Sequence, residues 1–568
     1  MCGIVGYVGL QSATPILMEG LRRLEYRGYD SAGLAWYSDG ELHILRASGK
    51  LHNLQARLPN TVSHVGIGHT RWATHGKPEE RNAHPQVDNR RRVAVVQNGI
   101  IENYRSLREE LIAQGCVFTS DTDTEVIPHL LSRYLQKNYS FLEAMRLTVT
   151  QLEGSFAIAA ITADAPDEII IARQQAPLVV GLGQGELFCA SDTTALIHHT
   201  QAFLSLENGE LARLTPLGVE LYTFSGERVQ RYPERLTWSP VLVEKGGFKH
   251  YMLKEIHDQP GVLRQGLASH LLDGQIALGP VQELYPRLEQ IQIVACGTSW
   301  HAGLVGKYLL EQVAQVPTTV HYASEFRYAP PPYRPHTLTI GVTQSGETAD
   351  TLAALSLASS RHLTGTPWLL GITNRPESSL GRLVPYLIDT RAGIEIGVAA
   401  TKTFMAQVVA FYLLAFDLAY QRHILSQEKL ELYLANLQKI PNHLEWILET
   451  QAPLIEQLAH EFTEVQHVIY LGRGINFPIA LEGALKLKEV SYIHAEGYPA
   501  GEMKHGPIAL LDKGVPVIAI AMPGSVYDKV LSNVQEARAR EAHIIGVGTV
   551  ANREIPDLFQ VNLTVPEV

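Results

Sequence analysis

The feature that most limits how this chain can fold is a change of hydrophobic pattern near its middle. After residue 248, short apolar runs alternate with long helical stretches, which is typical of βαβ units on a parallel sheet. The run IQIVACG at residues 291–297 resembles HVIYLG at residues 467–472, so this part also contains a weak internal repeat. The repeat predicts two doubly wound α/β domains, over residues 249–425 and, with a helical connector, over residues 426–568.

The pattern before this change is rich in strands. Alternating or β-branched runs recur, and two helical stretches near residues 103–114 and 124–135 interrupt them. This pattern predicts packed sheets with helices outside, in one domain over residues 1–238. Residues 239–248 contain a proline and paired glycines and are predicted to be a linker. The strand-like runs are residues 33–36, 92–96, 156–161 and 168–172.

Composition argues against several classes of protein. The chain of 568 residues is 45% hydrophobic and 18% charged, as expected of a multidomain globular protein, and its net charge of -11 argues against binding nucleic acid. Four widely spaced cysteines without a CxxC motif predict reduced thiols in the cytoplasm. The longest apolar run, residues 408–416, is too short to cross a bilayer and predicts a buried helix. We expect no signal peptide, no membrane association and no cofactor.

The amino terminus carries the first candidate chemistry. Its sequence MCGIVG places Cys2 directly after the initiator methionine, so that removal of Met1 would leave a thiol and a free α-amine on one residue. An α-amine has a pKa of roughly 7.7–8.0, which suits it as a general base toward its own side chain. The alternative is that Cys2 is simply a small residue without a role.

The segment HTRWATH at residues 69–75 follows a short strand and is predicted to form a loop at the end of a sheet. Arg71 offers a planar guanidinium suited to a substrate carboxylate, and Trp72 offers a rigid wall or lid. A surface arginine beside a packed tryptophan is the alternative. The histidines of this region lack the helical i,i+4 spacing of zinc-binding histidines, which argues against a metal.

Two further groups are candidates for the same site. Asn98 and Gly99 come at the end of the run at residues 93–96, where a side-chain amide and a glycine N–H would both suit a developing oxyanion. An Asn-Gly pair is, however, more often a hairpin turn. Asp123 begins a helical stretch, so it either caps that helix or holds an ammonium group.

Together with the segment LEYRGYDS at residues 24–31, these residues closely resemble the glutaminase domain of N-terminal-nucleophile glutamine amidotransferases. The resemblance implies an αββα sandwich in which Cys2 is the nucleophile and its own α-amine is the base. It also implies that Asn98 and Gly99 form the oxyanion hole. The residues that it implies for glutamine binding are Arg71, Trp72, His84 and Asp123.

A second candidate site follows the strand-like run at residues 338–342. The turn TQSGET and the helix predicted after it offer backbone N–H groups and the hydroxyls of Ser345 and Thr348, which predicts a phosphate cradle. The turn has no lysine of a nucleoside-triphosphate loop, and an ordinary N-cap is the alternative for Ser345. Residues 296–299 end the neighbouring parallel strand and are expected at the same edge of the sheet. The second repeat has MPGS at residues 522–525 in the equivalent place, so we expect it to have lost phosphate binding.

The helical stretch at residues 481–489 places Glu482, Lys486 and Glu489 on one face. An ordinary ion pair is one interpretation, and a carboxylate tuned by a lysine for proton transfer is the other. His505 is predicted to lie in a loop rich in glycine and proline, where it would also suit proton transfer.

These residues resemble paired sugar-isomerase (SIS) domains. A glutaminase joined to two such domains is the arrangement of the glutamine:fructose-6-phosphate aminotransferase family. The resemblance implies hydrolysis of glutamine and transfer of the ammonia, through an internal channel gated by Trp72, to fructose 6-phosphate. The product is glucosamine 6-phosphate, for amino-sugar synthesis. The matching motifs are SEFRY at residues 324–328, EIGVA at residues 395–399 and ALKLKEVSYIHAE at residues 484–496.

The resemblance also assigns roles in the sugar site. It implies that Glu489 moves a proton between C1 and C2 of the sugar, with Lys486 nearby. It implies that His505 of the partner subunit in a homodimer assists ring opening. The residues that it places around the sugar phosphate are Thr298, Ser299, Thr343, Gln344, Ser345, Thr348 and Val398.

The match breaks at the carboxy terminus. Family members end in a tail with a lysine that forms a Schiff base with the sugar, and no lysine of this sequence, which stops at Val568, matches it. Lys504 belongs to a different motif, and Ala400 stands where the family usually has a serine. The alternative function is therefore an uncoupled glutaminase or a sugar-phosphate-binding sensor.

Overall fold

The structure, a computed structural model, divides into two compact units, Met1–Glu244 and Lys245–Val568, which we name the amino-terminal and the carboxy-terminal unit. Residues 26, 27 and 29 of the LEYRGYDS segment and residues 239–244 of the predicted linker lie outside the described residues. The finer domain boundaries expected from the sequence stay predictions. The structure describes residues 2–25, 28, 30–59, 61–235, 245–272, 274–332, 334–361, 367–550 and 558–567.

The amino-terminal unit is built from two antiparallel sheets with α-helices. Its strands are β1 (Gly3–Val8), β2 (Ser31–Ser38), β3 (Glu41–Ser48), β4 (Val65–Arg71), β5 (Gln86–Val87), β6 (Val93–Ile101), β7 (Gly154–Thr162), β8 (Ala165–Gln174), β9 (Val179–Leu182), β10 (Leu187–Ala190), β11 (Ala202–Ser205), β12 (Glu210–Thr215), β13 (Gly218–Thr223), β14 (Arg228–Val229) and β15 (Glu234–Arg235). Its helices are α1 (Ala13–Leu24), α2 (Leu51–Gln55), α3 (Tyr104–Ala113), α4 (Val126–Leu135) and α5 (Phe141–Val149). Pairing gives an eight-stranded sheet in the order β15-β11-β9-β10-β1-β4-β2-β3 and a seven-stranded sheet in the order β14-β13-β12-β8-β7-β6-β5.

Apolar side chains on both faces of the sheets explain the layers of this unit. Ile4 and Ile67 of the eight-stranded sheet pack against Val96 and Ile171 of the seven-stranded sheet in a shared core. Helices α1 and α2 cover the outer face of the first sheet, and α3, α4 and α5 cover the outer face of the second. The unit is therefore an αββα sandwich, which confirms the predicted fold class.

Two local predictions for this unit are wrong. The segment at residues 69–75 is only partly a loop, because His69, Thr70 and Arg71 are the last residues of β4. Asn98 and Gly99 neither end a strand nor form a turn, because they lie inside β6 and pair with β7. In both cases a neighbouring strand continues, and its ladder hydrogen bonds extend the strand beyond the apolar run that the sequence shows.

The two helices predicted in this unit are α3 and α4, but the sequence pattern does not predict α1, α2 and α5. Helix α1 contains Pro15 and Gly20, and both weaken a helical pattern in isolation. Gly20 lies directly against β1, where an added Cβ would come within 2.9 Å of Val5 Cγ1. Close packing on the sheet therefore stabilises a helix that local propensity disfavours.

The carboxy-terminal unit contains two parallel sheets and a small hairpin. Its strands are β16 (Leu271–Leu272), β17 (Gln275–Ile276), β18 (Gln290–Ala295), β19 (Thr318–Tyr322), β20 (Thr337–Thr343), β21 (Leu369–Thr373), β22 (Tyr386–Asp389), β23 (His467–Gly472), β24 (His494–Pro499), β25 (Pro516–Ile520), β26 (His543–Thr549) and β27 (Val561–Val565). Its helices are α6 (Tyr251–His270), α7 (Gly297–Gln312), α8 (Ala323–Phe326), α9 (Ala349–Ser360), α10 (Ser379–Leu383), α11 (Lys402–Gln421), α12 (Gln427–Thr450), α13 (Ala452–Glu461), α14 (Phe477–Ser491) and α15 (Tyr527–Arg538).

The two parallel sheets share one topology. Their strand orders are β19-β18-β20-β21-β22 and β24-β23-β25-β26-β27, so each sheet runs second, first, third, fourth, fifth. This order has its switch point between the first and third strands, where ligands bind in doubly wound folds. The internal repeat and the two doubly wound domains predicted from it are confirmed.

Helix α11 forms the centre of the core that covers β18, β20 and β21. Among the described helices it alone has the length and hydropathy to cross a membrane, and 83% of its apolar window is buried inside the unit. The prediction of a buried helix around residues 408–416 is therefore confirmed. Helices α12 and α13 then connect the two parallel sheets.

Candidate functional site

Cys2 lies directly before β1, which is an interior strand of the eight-stranded sheet and pairs with β4. The Trp72 main chain holds the thiol: the Trp72 N–H donates to Sγ at 3.3 Å, and Sγ lies 3.5 Å from the Trp72 carbonyl oxygen. Burial raises the pKa of the Cys2 thiol, and the Trp72 N–H opposes this effect only in part. The thiol is therefore protonated at neutral pH and needs a base before it can act as a nucleophile.

Asn98 reaches Cys2 from the opposite sheet of the sandwich. Its Nδ2 donates to the Cys2 carbonyl oxygen at 3.0 Å, and its Oδ1 lies 3.0 Å from Nε2 of His69. The next residue, Gly99, has φ +102, and a Cβ there would lie 2.0 Å from the Ser155 carbonyl oxygen. Only glycine fits this position, which directly follows Asn98 in β6.

Arg71 and Asp123 bring opposite charges into the same buried region. Arg71 is 3% exposed; its Nη2 donates to the His75 carbonyl oxygen, and its Nη1 has no hydrogen-bond partner among the described residues. Burial lowers the pKa of Arg71, and the charge of Asp123 acts in the opposite direction. Asp123 accepts the Ile101 N–H at 2.8 Å, and burial raises its pKa. A buried guanidinium N–H without a partner suits an anionic ligand.

Asp30 is a positioning group that the sequence did not single out. Its Oδ2 accepts the Ala73 N–H at 2.8 Å, and its own N–H donates to the Arg71 carbonyl oxygen at 3.0 Å. Asp30 thereby fixes the chain on either side of Trp72, whose side chain is 42% exposed. The LEYRGYDS segment draws attention to Asp30 in the sequence, but the two residues are 43 positions apart and no sequence pattern predicts that Asp30 contacts Ala73.

His84 packs against His69, the residue whose ring contacts Asn98. Its ring is 4.4 Å from the ring of His69, centroid to centroid, and burial lowers the pKa of His84 well below its ordinary value. Gly33 leaves room for this segment, because a Cβ at Gly33 would lie 2.2 Å from the His84 carbonyl oxygen. Binding of glutamine by His84 stays a prediction.

In the carboxy-terminal unit, the predicted strand, turn and helix are β20, residues 344–348 and α9. Gly346 has φ +67, and a Cβ there would lie 1.8 Å from Ser378 Oγ, so this turn also requires glycine. Glu347 accepts both the N–H and the hydroxyl of Ser379 at 2.8 Å, which fixes the turn against α10. Ser345 Oγ accepts the Glu347 N–H at 3.1 Å.

Of the remaining residues predicted around the sugar phosphate, all but Val398 lie at or directly after the ends of β18 and β20, and Val398 lies between β22 and α11. Thr298 and Ser299 are in the first turn of α7, directly after β18, which pairs with β20. Ser299 Oγ accepts Gln407 Nε2 at 3.1 Å. The two hydroxyls of Thr343 and Thr348 are 2.6 Å apart. Val398 is 59% exposed, so its side chain is accessible.

Glu255 of α6 anchors the segment that carries Val398, and the sequence did not single it out. Its carboxylate, on a residue that is 2% exposed, accepts the N–H of Ile396 at 2.5 Å and that of Gly397 at 3.0 Å. Burial raises the pKa of Glu255 to about 7, and these two N–H groups oppose the shift. A Cβ at Gly397 would lie 2.4 Å from Glu255 Oε2, so the carboxylate packs directly on the backbone.

The two parallel-sheet domains meet in a charged network. Lys486 Nζ lies 2.6 Å from Glu489 Oε2 and 3.4 Å from Glu482 Oε1, so these three residues do share one face of α14. Lys486 Nζ also donates to Thr298 Oγ1 at 3.0 Å, and Thr298 Oγ1 donates to Glu482 Oε1 at 3.0 Å. His301, which the sequence did not single out, places Nδ1 2.6 Å from Glu482 Oε2. Its position one turn after Thr298 on α7 was the only signal.

His505 does not join this network within the described residues. It is exposed and ends a 3₁₀ segment, Ala500–His505, so the predicted loop is wrong for these residues. Gly506 follows with φ +138, and a second 3₁₀ segment begins at Pro507. The positive φ of Gly506 separates the two 3₁₀ segments, Ala500–His505 and Pro507–Leu510.

Comparison with known proteins gives concordant results for both units. A glutamine amidotransferase domain family model matches residues 69–198, and a SIS domain family model matches residues 284–416 and 461–568. The C-terminal domain of glucosamine-fructose-6-phosphate aminotransferase from Francisella tularensis is similar in structure, with a TM-score of 0.55 and 41% identity over 57% of this chain and 90% of that chain.

Two full-length relatives are both named glutamine–fructose-6-phosphate aminotransferase (isomerizing). The relative from Thermosynechococcus vestitus is 65% identical over all of this chain and 94% of its own length. The relative from Chlorobaculum tepidum is 46% identical over all of this chain and 93% of its own length. The chain therefore belongs to the glutamine–fructose-6-phosphate aminotransferase (isomerizing) family.

Proposed function

We propose that this protein hydrolyses glutamine and transfers the ammonia to fructose 6-phosphate with isomerisation, giving glucosamine 6-phosphate and glutamate. The observation that carries the proposal is the similarity to relatives of that name, which extends over the whole chain. It therefore includes both the residues around Cys2 and those around Lys486.

The first half-reaction begins at Cys2 after removal of Met1. The free α-amine takes the proton of the thiol, and Sγ attacks the side-chain carbonyl carbon of glutamine. The oxyanion accepts hydrogen bonds from Asn98 Nδ2 and the Gly99 N–H. The C–N bond breaks as the leaving group takes a proton and departs as ammonia, and water then hydrolyses the thioester to release glutamate.

The ends of glutamine fit the two buried charges. The α-carboxylate pairs with Arg71, whose Nη1 has no other partner in the described part of the chain. The α-ammonium pairs with Asp123. In this proposal Trp72 covers the bound substrate, and His84 also contributes to glutamine binding.

The second half-reaction uses the carboxy-terminal unit. Glu489 moves a proton between C1 and C2 of the open-chain sugar, and Lys486, 2.6 Å away, forms an ion pair with it. His505 of the partner subunit in a homodimer assists ring opening. We place this reaction in the cytoplasm, where the four free thiols would stay reduced. The residues that surround the sugar phosphate in this proposal are Thr298, Ser299, Thr343, Gln344, Ser345, Thr348 and Val398.

One reaction tests the proposal. The chain is incubated with glutamine and fructose 6-phosphate, and glutamate and glucosamine 6-phosphate are quantified separately. Equal amounts are expected. Glutamate alone would overturn the amino transfer and favour an uncoupled glutaminase. The absence of both products, from a sample whose intact mass shows that Met1 has been removed, would overturn the whole proposal.

A further inference from the structure

His69 is a buried histidine on β4 that the proposed reaction does not use. His69 is 0% exposed and Asn98 is 7% exposed, so the contact between them is closed to solvent. Asn98 joins the two sheets: its Oδ1 faces His69 Nε2, and its Nδ2 faces the Cys2 carbonyl oxygen, each at 3.0 Å. The amide of Asn98 is therefore held at both ends.

The hydrogen-bonding chemistry of Cys2 and His69 determines which of them faces the NH2 group of the Asn98 amide and which faces its oxygen. A carbonyl oxygen only accepts hydrogen bonds, so the group of Asn98 that faces Cys2 must be the NH2 group. The amide oxygen then faces His69, and Nε2 of His69 must carry a hydrogen to donate to it. If the amide were flipped, its oxygen would face the Cys2 carbonyl oxygen, acceptor against acceptor, and its NH2 group would face His69, which would then have to carry its hydrogen on Nδ1 instead of Nε2.

The surroundings keep this histidine uncharged. Burial lowers the pKa of His69 to about 3, and the hydrogen bond with Asn98 opposes the shift only in part. Arg71 acts in the same direction as burial. The ring of His84, which packs against His69, is likewise held uncharged by burial. A neutral imidazole with its hydrogen on Nε2 is thus the stable form at neutral pH.

We propose that His69 is a positioning residue that fixes the orientation of the Asn98 amide, so that its NH2 group faces the reacting centre. One N–H of that group bonds to the Cys2 carbonyl oxygen, and the second remains for the oxyanion. This inference rests on the proposed glutaminase reaction and adds a residue to it. It acts on the transition state through Asn98 and not on the binding of glutamine.

Two variants of the full chain test the proposal. His69→Leu removes the donor, and the glutaminase kcat is expected to fall about 10- to 100-fold, less than the full loss of an oxyanion donor, while KM changes less than about 3-fold. His69→Gln places an amide N–H near the position of Nε2, so kcat is expected to recover to within about 5-fold of the parent. A lack of difference between the two variants would overturn the proposal.

A double-mutant cycle separates positioning from a general structural effect. In an Asn98→Ala background, His69→Leu is expected to change kcat less than about 2-fold, because no amide remains to be oriented. An undiminished penalty in that background would overturn the proposal. If His69→Leu does not fold, the same cycle is run with His69→Phe and His69→Gln.

The controls distinguish this inference from the proposed function. A parent chain that lacks Met1 and releases no glutamate overturns the glutaminase reaction, and the inference with it. An active parent in which neither His69 substitution changes kcat overturns only the role of His69.

Discussion

Around Cys2 the polar groups are buried and several of them are held uncharged, whereas around Lys486 they form ion pairs. Burial keeps the thiol of Cys2 and the ring of His69 neutral at pH 7. Lys486 and Glu489 form an ion pair at 2.6 Å, with side chains 17% and 32% exposed. Exclusion of water keeps the residues around Cys2 neutral, whereas the residues around Lys486 are held together by opposite charges.

The two groups are also held by different parts of the fold. Cys2 and Asn98 lie on strands of two facing sheets, whose register is fixed by ladder hydrogen bonds along their whole length. Thr298 and Lys486 lie on helices of two domains and meet through their side chains. We therefore expect substitutions near Cys2 to act on glutamine hydrolysis, and substitutions near Lys486 to separate amino transfer from glutamine hydrolysis.

The largest expected effect is the loss of glutamine hydrolysis in the amino-terminal unit without a change of sugar-phosphate binding in the carboxy-terminal unit. Cys2→Ala is expected to reduce glutamate release by at least about 10⁴-fold, because the thiol forms the bond to glutamine. Binding of fructose 6-phosphate, measured by calorimetry, should remain unchanged. Cys116→Ala is the matched control, since it removes a partly buried thiol that lies outside the site. Glutamate release by Cys2→Ala would contradict the role of Cys2.

The next effect tests the charged network of the carboxy-terminal unit. Glu489→Gln removes the carboxylate 2.6 Å from Lys486 and is expected to lower glucosamine 6-phosphate formation by about 10²- to 10⁴-fold. Glutamate release should continue. Lys488→Gln, at an exposed neighbouring position on α14, serves as the control and should behave as the parent. Equal losses of both activities in Glu489→Gln would contradict the separation of the two sites.

Acid is expected to change the stability of the two units in opposite directions. The pKa of His69 is about 3 in the folded chain against an ordinary 6.5, so the stability it provides is present above pH 6.5 and falls as the pH drops toward 3. At pH 4.5 the amino-terminal unit should have lost about 2–3 kcal/mol through this group. Hydrogen exchange of its core amides would measure the loss, and His69→Gln should abolish it.

Glu255 gives the opposite sign in the carboxy-terminal unit. Its pKa is raised from 4.5 to about 7, so its stabilising contribution is complete below pH 4.5 and decreases as the pH rises through 7. Lowering the pH from 7 to 4.5 should therefore add about 3 kcal/mol to the free energy of unfolding of this unit through Glu255. The same exchange experiment on Glu255→Gln should show no such gain. A parallel loss of stability in both units through these two groups would contradict the comparison.

The smallest expected effect is at the phosphate cradle. Ser345→Ala removes one hydroxyl from a site with several other donors, so KM for fructose 6-phosphate should rise about 3- to 20-fold with kcat for glutamine hydrolysis unchanged. Ser360→Ala, at the far end of α9, loses a hydroxyl whose hydrogen-bond partner among the described residues is the Leu357 carbonyl oxygen, and it should leave both values unchanged. An unaltered KM in Ser345→Ala would contradict the cradle.

The sequence predicted the structure correctly where the residues concerned are close together along the chain. The strand, turn and helix around Ser345 follow one another directly along the chain, and the two copies of the doubly wound repeat could be recognised from their apolar runs. It failed where the contact is distant. Asn98 and Cys2 are 96 residues apart, and His301 and Glu482 are 181 apart, so no periodicity connects them. From the sequence alone His69 is a candidate only for metal binding, because its partner Asn98 lies 29 residues away on a strand of the other sheet.

Helix α11 has a consequence for the order in which the chain is made. A long apolar segment that leaves the ribosome without cover is prone to aggregate or to insert into a membrane. The helices α6 and α7, which pack against α11, and the strands β18, β20 and β21, which share its core, all precede it in the sequence. These elements are therefore already synthesised when α11 emerges. A circular permutant that begins at α11 would reverse this order, and its most apolar helix would emerge before any surface existed to bury it.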